Sequence, residues 1–168
     1  MRALWIVTAL LLMLVPARAQ NPKTAVFDFE LADTSLEGEK SGPQVAEQAR
    51  LRSISDQVRK GLGDSGQFDL VDMAPVRAEA HNANLQACGG CDVQFAQKLG
   101  ADLAVTGVVH KVSTLILNMT IFVRNARTGH LITAANADFR GNTDESWART
   151  TSFLLRNRLL APNYGVPK

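Results

Sequence analysis

The chain has 168 residues, 46% of them hydrophobic, and its 18 Lys and Arg residues exceed its 16 Asp and Glu residues by two. Two of the basic residues, Arg2 and Arg18, fall within the first nineteen positions, which contain no acidic residue, so the rest of the chain has no net charge. Nucleic acids and anionic membranes select clustered positive charge, and this balance therefore argues against both as partners.

The first nineteen residues have the pattern of a secretory signal peptide. Arg2 supplies the positive start, residues 4–15 are an apolar run, and residues 17–19 are a small-x-small cleavage site. The run stops at Pro16, short of the roughly 20 apolar residues that a membrane-spanning helix needs. We therefore predict cleavage after Ala19, a periplasmic location, and no membrane insertion of the mature protein.

The remaining residues, 20–168, have a length typical of one domain, and we predict a single α/β domain. Residues 24–29 are β-branched and aromatic, which predicts a first strand. Apolar positions in residues 45–62 recur at three- and four-residue steps, the period of one helical face, and residues 68–71 predict a second strand. In a strand-helix-strand unit of this kind, the helix normally connects two neighbouring parallel strands. We expect residues 33–43, between the first strand and the helix, to form a mobile loop.

The second half of the chain predicts three more strands and further helices. The third strand is nearly continuous in apolar residues, as in a strand that is buried on both faces, whereas the fourth alternates and is half exposed. Gly129 suits a hairpin turn, so the fifth strand returns antiparallel. The predicted strands cover residues 103–109, 117–124 and 131–139, and the predicted helices cover residues 75–81, 91–99 and 143–160. The order β-α-β-α-β-β-β-α predicts a mixed sheet of about five strands, antiparallel at one end, with helices packed on it.

Cys88 and Cys91 enclose two glycines and form the one pair of reactive side chains in the sequence. Three interpretations are open: a structural disulfide, a redox pair in which the start of a helix stabilises a thiolate, and a metal-ligand pair. Export to an oxidising compartment favours the disulfide. Zinc would need a second cysteine pair or suitably spaced histidines, and Asp92 stands where a haem-attachment motif requires histidine. We predict no metal and no cofactor.

Residues 63–66 spell Gly-Asp-Ser-Gly, the segment around the nucleophile of trypsin-like serine proteases. Those enzymes need an upstream histidine base, and no histidine precedes Ser65. We interpret the segment as a turn between the predicted helix and strand, and we predict no catalytic residue.

Residues 140–147 are dense in polar groups and end in a tryptophan. One interpretation is an interaction surface, because Trp and Arg dominate binding hot spots. The other, which we favour, is a strand-to-helix turn with capping residues and a tryptophan that anchors the last helix on the sheet. An exposed indole would support the first interpretation, and a buried one the second. The candidate residues are Arg140, Asn142, Asp144, Glu145 and Trp147.

Several segments together resemble a family of bacterial periplasmic proteins of unknown function. They are residues 25–30, 66–72, 100–102, 106–108 and 140–147, with Cys88 and Cys91. A more distant resemblance is to the TolB N-terminal, CsgG and LpoB-type domains. It rests on the first strand, the strand around Phe68 and the Gly-Ala-Asp segment at residues 100–102, which leads into the third strand. That resemblance implies a mixed sheet with helices packed on it, and a non-catalytic module of an envelope assembly.

We therefore predict an exported, non-catalytic binding or accessory protein with a protein partner in the cell envelope and no nucleic-acid partner. The alternative is a periplasmic thiol redox or metal-delivery protein that uses Cys88 and Cys91. The sequence specifies no oligomeric state.

Overall fold

A sheet of six strands with helices on both faces makes up the computed structural model, which describes residues 20–161. The predicted signal peptide, residues 1–19, lies outside the described residues, as do residues 162–168. The strands are β1 (Lys23–Val26), β2 (Glu30–Asp33), β3 (Asp69–Leu70), β4 (Leu103–Lys111), β5 (Ile116–Asn125) and β6 (Leu131–Arg140). The helices are α1 (Leu36–Ser41), α2 (Val45–Asp64), α3 (Arg77–Asn82), α4 (Cys91–Lys98) and α5 (Asp144–Leu154), which continues into a π-helical turn at Leu155–Leu159.

The strands follow the order β3-β1-β4-β5-β6, with β2 also paired to β4. β1 is parallel to both β3 and β4, whereas β4, β5 and β6 are joined as antiparallel hairpins. The predicted mixed α/β fold is therefore confirmed, with six strands instead of about five.

The additional strand arises because the predicted first strand is interrupted. Residues 24–29 do not form one strand; β1 and β2 both pair with β4, and the chain leaves its edge between them. There the Phe29 ring packs on Gly107, where a Cβ atom would overlap it, and the Phe29 N–H donates to Ser55 Oγ of α2 at 2.9 Å. A glycine in β4 thus makes room for an aromatic ring from the neighbouring segment.

Alternate residues of the central strands enter two separate cores. Val105 and Val109 of β4 face α2 and α5, whereas Ala104 faces the smaller core beneath α3 and α4. The apolar face predicted for α2 is confirmed, since its periodic residues are 0–6% exposed: Leu51, Ile54, Val58 and Leu62. None of the helices among the described residues combines the length and apolarity needed to cross a bilayer.

The segment expected to be a mobile loop contains a short helix. Ser35 caps α1 by accepting the Gly38 N–H at 3.1 Å, and Asp33 accepts the Ser35 N–H at 2.8 Å. A helix of six residues is too short to be stable alone. The contacts that hold α1 on the sheet come from a buried lysine at the end of β4.

Candidate functional site

A fully buried lysine lies at the last position of β4. Lys111 is 0% exposed, and its Nζ donates to Glu47 Oε1 at 2.6 Å, to Glu37 Oε2 at 2.8 Å and to Asp33 Oδ2 at 3.1 Å. An ammonium group has three donors, and each is used. We call these four residues the Lys111 cluster. Because the carboxylates come from β2, α1 and α2, the cluster ties three segments to β4.

The charges of the cluster stabilise one another. Burial opposes the charge on Lys111, but hydrogen bonds to Glu37, Glu47 and Asp33 outweigh it and raise the pKa of the lysine. Burial also acts to raise the pKa of Asp33, but hydrogen bonds from Ser35 and Lys111 lower it below its ordinary value. Lys and Glu are rarely buried without a charged partner, and this cluster meets that condition.

Asn142 connects the cluster to the segment that the sequence singled out. Its Nδ2 donates to Glu47 Oε1 at 2.6 Å, and its Oδ1 accepts from Trp147 Nε1 at 2.9 Å and Arg50 Nη1 at 3.2 Å. Glu47 Oε2 is buried without a hydrogen-bond partner in the described part of the chain. One side chain therefore links a buried carboxylate to the tryptophan of α5.

Trp147 is an internal anchor of α5. The residue is 0% exposed, and its ring meets Phe139 edge to face at 6.3 Å between centroids. Thr143 and Ser146 cap the helix reciprocally. Trp147 therefore does not belong to an exposed interaction surface, and the segment has the geometry of the capping interpretation. Asn142 is half-buried, and the remaining candidates are exposed: Arg140, Asp144 and Glu145.

Five large apolar side chains project into solvent on the segments around the Lys111 cluster. They lie on α1, at the start of α2 and at the β4–β5 turn, and we call them the apolar end. The residues are Leu36 (73% exposed), Val45 (84%), Val112 (58%), Leu115 (65%) and Ile116 (51%).

Backbone hydrogen bonds and a shared cavity bring these segments together. The β4–β5 turn is held to the loop before α5, since Asn142 N–H donates to the Thr114 carbonyl at 2.9 Å. A cavity of about 310 Å³ is lined by Glu37 of α1, Glu47 of α2, Thr114 and Asn142. The segments that carry the apolar end therefore meet around the Lys111 cluster, at one end of the sheet.

Cys88 and Cys91 lie apart from this surface, where the chain enters α4. They are joined in a disulfide, with Cα atoms 5.7 Å apart, and Cys88 is exposed. The two glycines between them have φ of 68° and 103°, the left-handed region that lets so short a loop close. The structural and the redox interpretation both use this pair, and both stay predictions.

Ser65 lies in the turn between α2 and β3. Its Oγ donates to the Leu62 carbonyl at 2.6 Å and accepts the Gln67 N–H at 3.2 Å, so the hydroxyl serves the turn. In residues 20–161 no group of three or more His, Cys, Asp or Glu side chains is placed to hold a metal ion. In the Lys111 cluster, the position between the three carboxylates is occupied by the ammonium group of Lys111.

The sequence matches a known family over most of its length. A family model described as "Protein of unknown function (DUF2380)" matches residues 22–159. The chain belongs to this family, DUF3280. No curated protein matches the sequence. The predicted resemblance to an uncharacterised family is confirmed to this extent.

Solved structures show that the DUF3280 chain shares its fold with LpoB. The LpoB C-terminal domain from Salmonella enterica has 14% identity and a TM-score of 0.50, with 70% of this chain and 82% of that chain covered. LpoB from Escherichia coli has 12% identity and a TM-score of 0.50, with 73% and 59% covered. Lipoprotein GNA1162 from Neisseria meningitidis has 13% identity and a TM-score of 0.48, with 74% and 84% covered. At such identities the likeness to LpoB concerns the fold alone.

The sequence interpretation missed the Lys111 cluster, although two signals for it exist. Lys111 continues the face of β4 that buries Val105 and Val109, and Glu47 stands four residues before Leu51 on the apolar face of α2. In this DUF3280 chain, Lys111 and Glu47 have opposite charges, and each occupies a position that the periodicity of its strand or helix assigns to the buried face. These two positions could have predicted a buried ion pair.

Proposed function

We propose that this chain is an exported, non-catalytic accessory protein that binds a protein partner in the cell envelope through the apolar end. The observation that carries the proposal is the exposure of 51–84% for five large apolar residues at one end of the sheet. Clustered apolar side chains on a soluble protein mark interaction sites, because covering them releases ordered water.

The Lys111 cluster supports this proposal because it holds the surface in one conformation. Leu36 lies beside Glu37, and Val112 lies beside Lys111, so the ion pairs act next to the exposed side chains. A surface that is ordered before binding loses less conformational entropy on association. The apolar end is therefore suited to a specific partner.

Two features support an envelope location for this function. The first nineteen residues have the pattern of a signal peptide. Cys88 and Cys91 are joined in a disulfide, a bond that persists in oxidising compartments.

Charge substitutions at the apolar end test the proposal. Val45→Glu and Leu115→Glu place a carboxylate at positions that are 84% and 65% exposed, where neither change disturbs packing. Phe153→Glu is the matched control, since Phe153 is a 41% exposed apolar residue on α5, outside the apolar end. Mature tagged protein is used to capture envelope proteins, and the retained protein is purified for affinity measurement.

We expect the Val45 and Leu115 variants to weaken binding of that purified protein by about tenfold or more, and the Phe153 variant to bind as wild type. A partner that binds all four proteins equally well would contradict the proposed surface. Failure to retain any envelope protein would contradict the proposed function itself.

A further inference from the structure

The two edges of the sheet differ greatly in length. On one side the sheet ends in β3 and β2, of two and four residues, whereas on the other it ends in β6, of ten. An edge strand offers unpaired N–H and C=O groups to any extended chain that reaches it. Proteins commonly block such edges with proline or charged side chains. In β6 the charged residues, Asp138 and Arg140, lie near its end, and residues 131–137 contain neither proline nor charge.

The hydrogen bonds of β5 determine which backbone groups of β6 face outward. Val112 N–H donates to the Ile116 carbonyl, so even-numbered residues of β5 bond to β4 and odd-numbered ones bond to β6. The residues of β6 opposite these are also odd-numbered, as with Ala135 opposite Ile121. The even-numbered residues at the centre of β6 therefore direct their N–H and C=O groups away from the sheet: Ala134, Asn136 and Asp138.

The centre of this edge is accessible. Ala134, Asn136 and Asp138 are exposed, and a cavity of about 290 Å³ lies between residues 133–136 and Arg158. In the described residues, no strand other than β5 pairs with β6. An added strand would thus find hydrogen-bonding groups that no other strand of the described residues uses.

The sequence of β6 is compatible with antiparallel pairing to a second copy of itself. When two copies run antiparallel with Asn136 opposite Asn136, Ala134 of one copy faces Asp138 of the other, and Ala135 faces Ala137. No like charges are opposed, and the small side chains let the backbones approach closely. The pairing is isologous, so it closes after two copies and produces no fibre.

We propose that a second copy of this chain adds its β6 to this edge, so that one sheet continues through a two-fold dimer centred on Asn136. The centre of β6 carries this inference, and it stands independently of the partner proposed for the apolar end.

Single-cysteine cross-linking tests the register. Residues opposite each other in a hydrogen-bonded antiparallel pair have Cα atoms about 5.5 Å apart, within the range of roughly 4.4–6.8 Å that a disulfide spans. Asn136→Cys should therefore form a covalent dimer under mild oxidation. Asp138→Cys is the matched control, because in this register its counterpart in the other copy lies several residues away. The two native cysteines are paired with each other, which leaves the introduced thiol as the reactive one.

A proline substitution tests the dimer without breaking the monomer. The Asn136 N–H faces outward, so Asn136→Pro removes a donor that β5 does not use. We expect sedimentation equilibrium to show a dimer for the mature wild type and a monomer for Asn136→Pro, with unchanged circular dichroism. A monomeric wild type would overturn the proposal. Equal cross-linking of the Asn136→Cys and Asp138→Cys variants, or an Asn136→Pro variant that stays dimeric, would also overturn it.

Discussion

The loop that enters α4 and the segment that contains α1 are both short and polar, but they are fixed by different means. A covalent bond between Cys88 and Cys91 closes the first, at the protein surface. Ionic hydrogen bonds to Lys111 hold the second, at a position with 0% exposure. Opening the disulfide leaves two thiols near the surface, whereas removing Lys111 leaves the Glu47 carboxylate, 1% exposed, without a counter-charge in the interior. The burial of the groups that are left behind, more than the strength of the bond, should decide which loss lowers the stability of the protein more.

The largest effect is expected from Lys111→Met, which keeps the length of the side chain and removes its charge. Glu47 would then be buried with no cation beside it, and the loss of one member of a buried ion pair costs about 3–5 kcal/mol. Urea denaturation of the mature protein, followed by the fluorescence of Trp147, measures this loss as a lower midpoint.

The matched control for this substitution is Lys98→Met. Lys98 pairs with Glu79 at 2.8 Å, but both side chains are more than half exposed, at 57% and 60%. Such a pair contributes no more than about 1 kcal/mol. If the two methionine variants were equally stable, the Lys111 cluster would not be a stabilising network, and its proposed role in ordering the apolar end would be lost.

Sequence patterns predicted the strands and helices that are determined by a local periodicity of apolar residues. The alternation in residues 117–124 and the helical period of Leu51, Ile54, Val58 and Leu62 each report a single buried face, and β5 and α2 lie where they indicate.

Elements that depend on distant residues could not be predicted in this way. At the break between β1 and β2 the Phe29 ring packs on Gly107, a contact between residues too far apart in sequence for a local pattern to predict. Likewise, residues 37–41 are polar and include a glycine, so that α1 looks like a loop until Lys111 is placed beside Glu37. For the candidate site, the sequence located Trp147 and its capping segment but not the buried carboxylate that Asn142 joins to it.

The disulfide should contribute less than the buried lysine. A loop this short lowers the conformational entropy of the unfolded chain only slightly. The Cys88→Ser/Cys91→Ser double variant should therefore lose about 2 kcal/mol of its free energy of unfolding. Ala87→Ser is the control, since it adds a hydroxyl at an exposed position beside the loop and keeps the disulfide.

Redox titration of the same pair separates its two interpretations. A structural disulfide should remain oxidised down to a potential below about −300 mV, whereas a redox-active pair exchanges with glutathione near its own potential of about −200 mV. A pair that equilibrates readily with glutathione would support the alternative thiol redox function.

The smallest effect is expected from pH, and its sign follows from the shifts within the Lys111 cluster. Because the pKa of Asp33 is lowered in the folded state, the stability this group contributes is present above its ordinary value of 3.8 and is lost as pH falls through the folded value. The pKa of Lys111 is raised, so its contribution is complete below 10.5 and is lost only as pH rises through the folded value. The free energy of unfolding should therefore be level with respect to both groups between these limits and fall on the acid side.

Asp33→Asn, which cannot titrate, should flatten that acid decline in a series of urea titrations. An acid decline as steep in Asp33→Asn as in wild type would show that other carboxylates cause it, and the role assigned to Asp33 in holding α1 would be wrong.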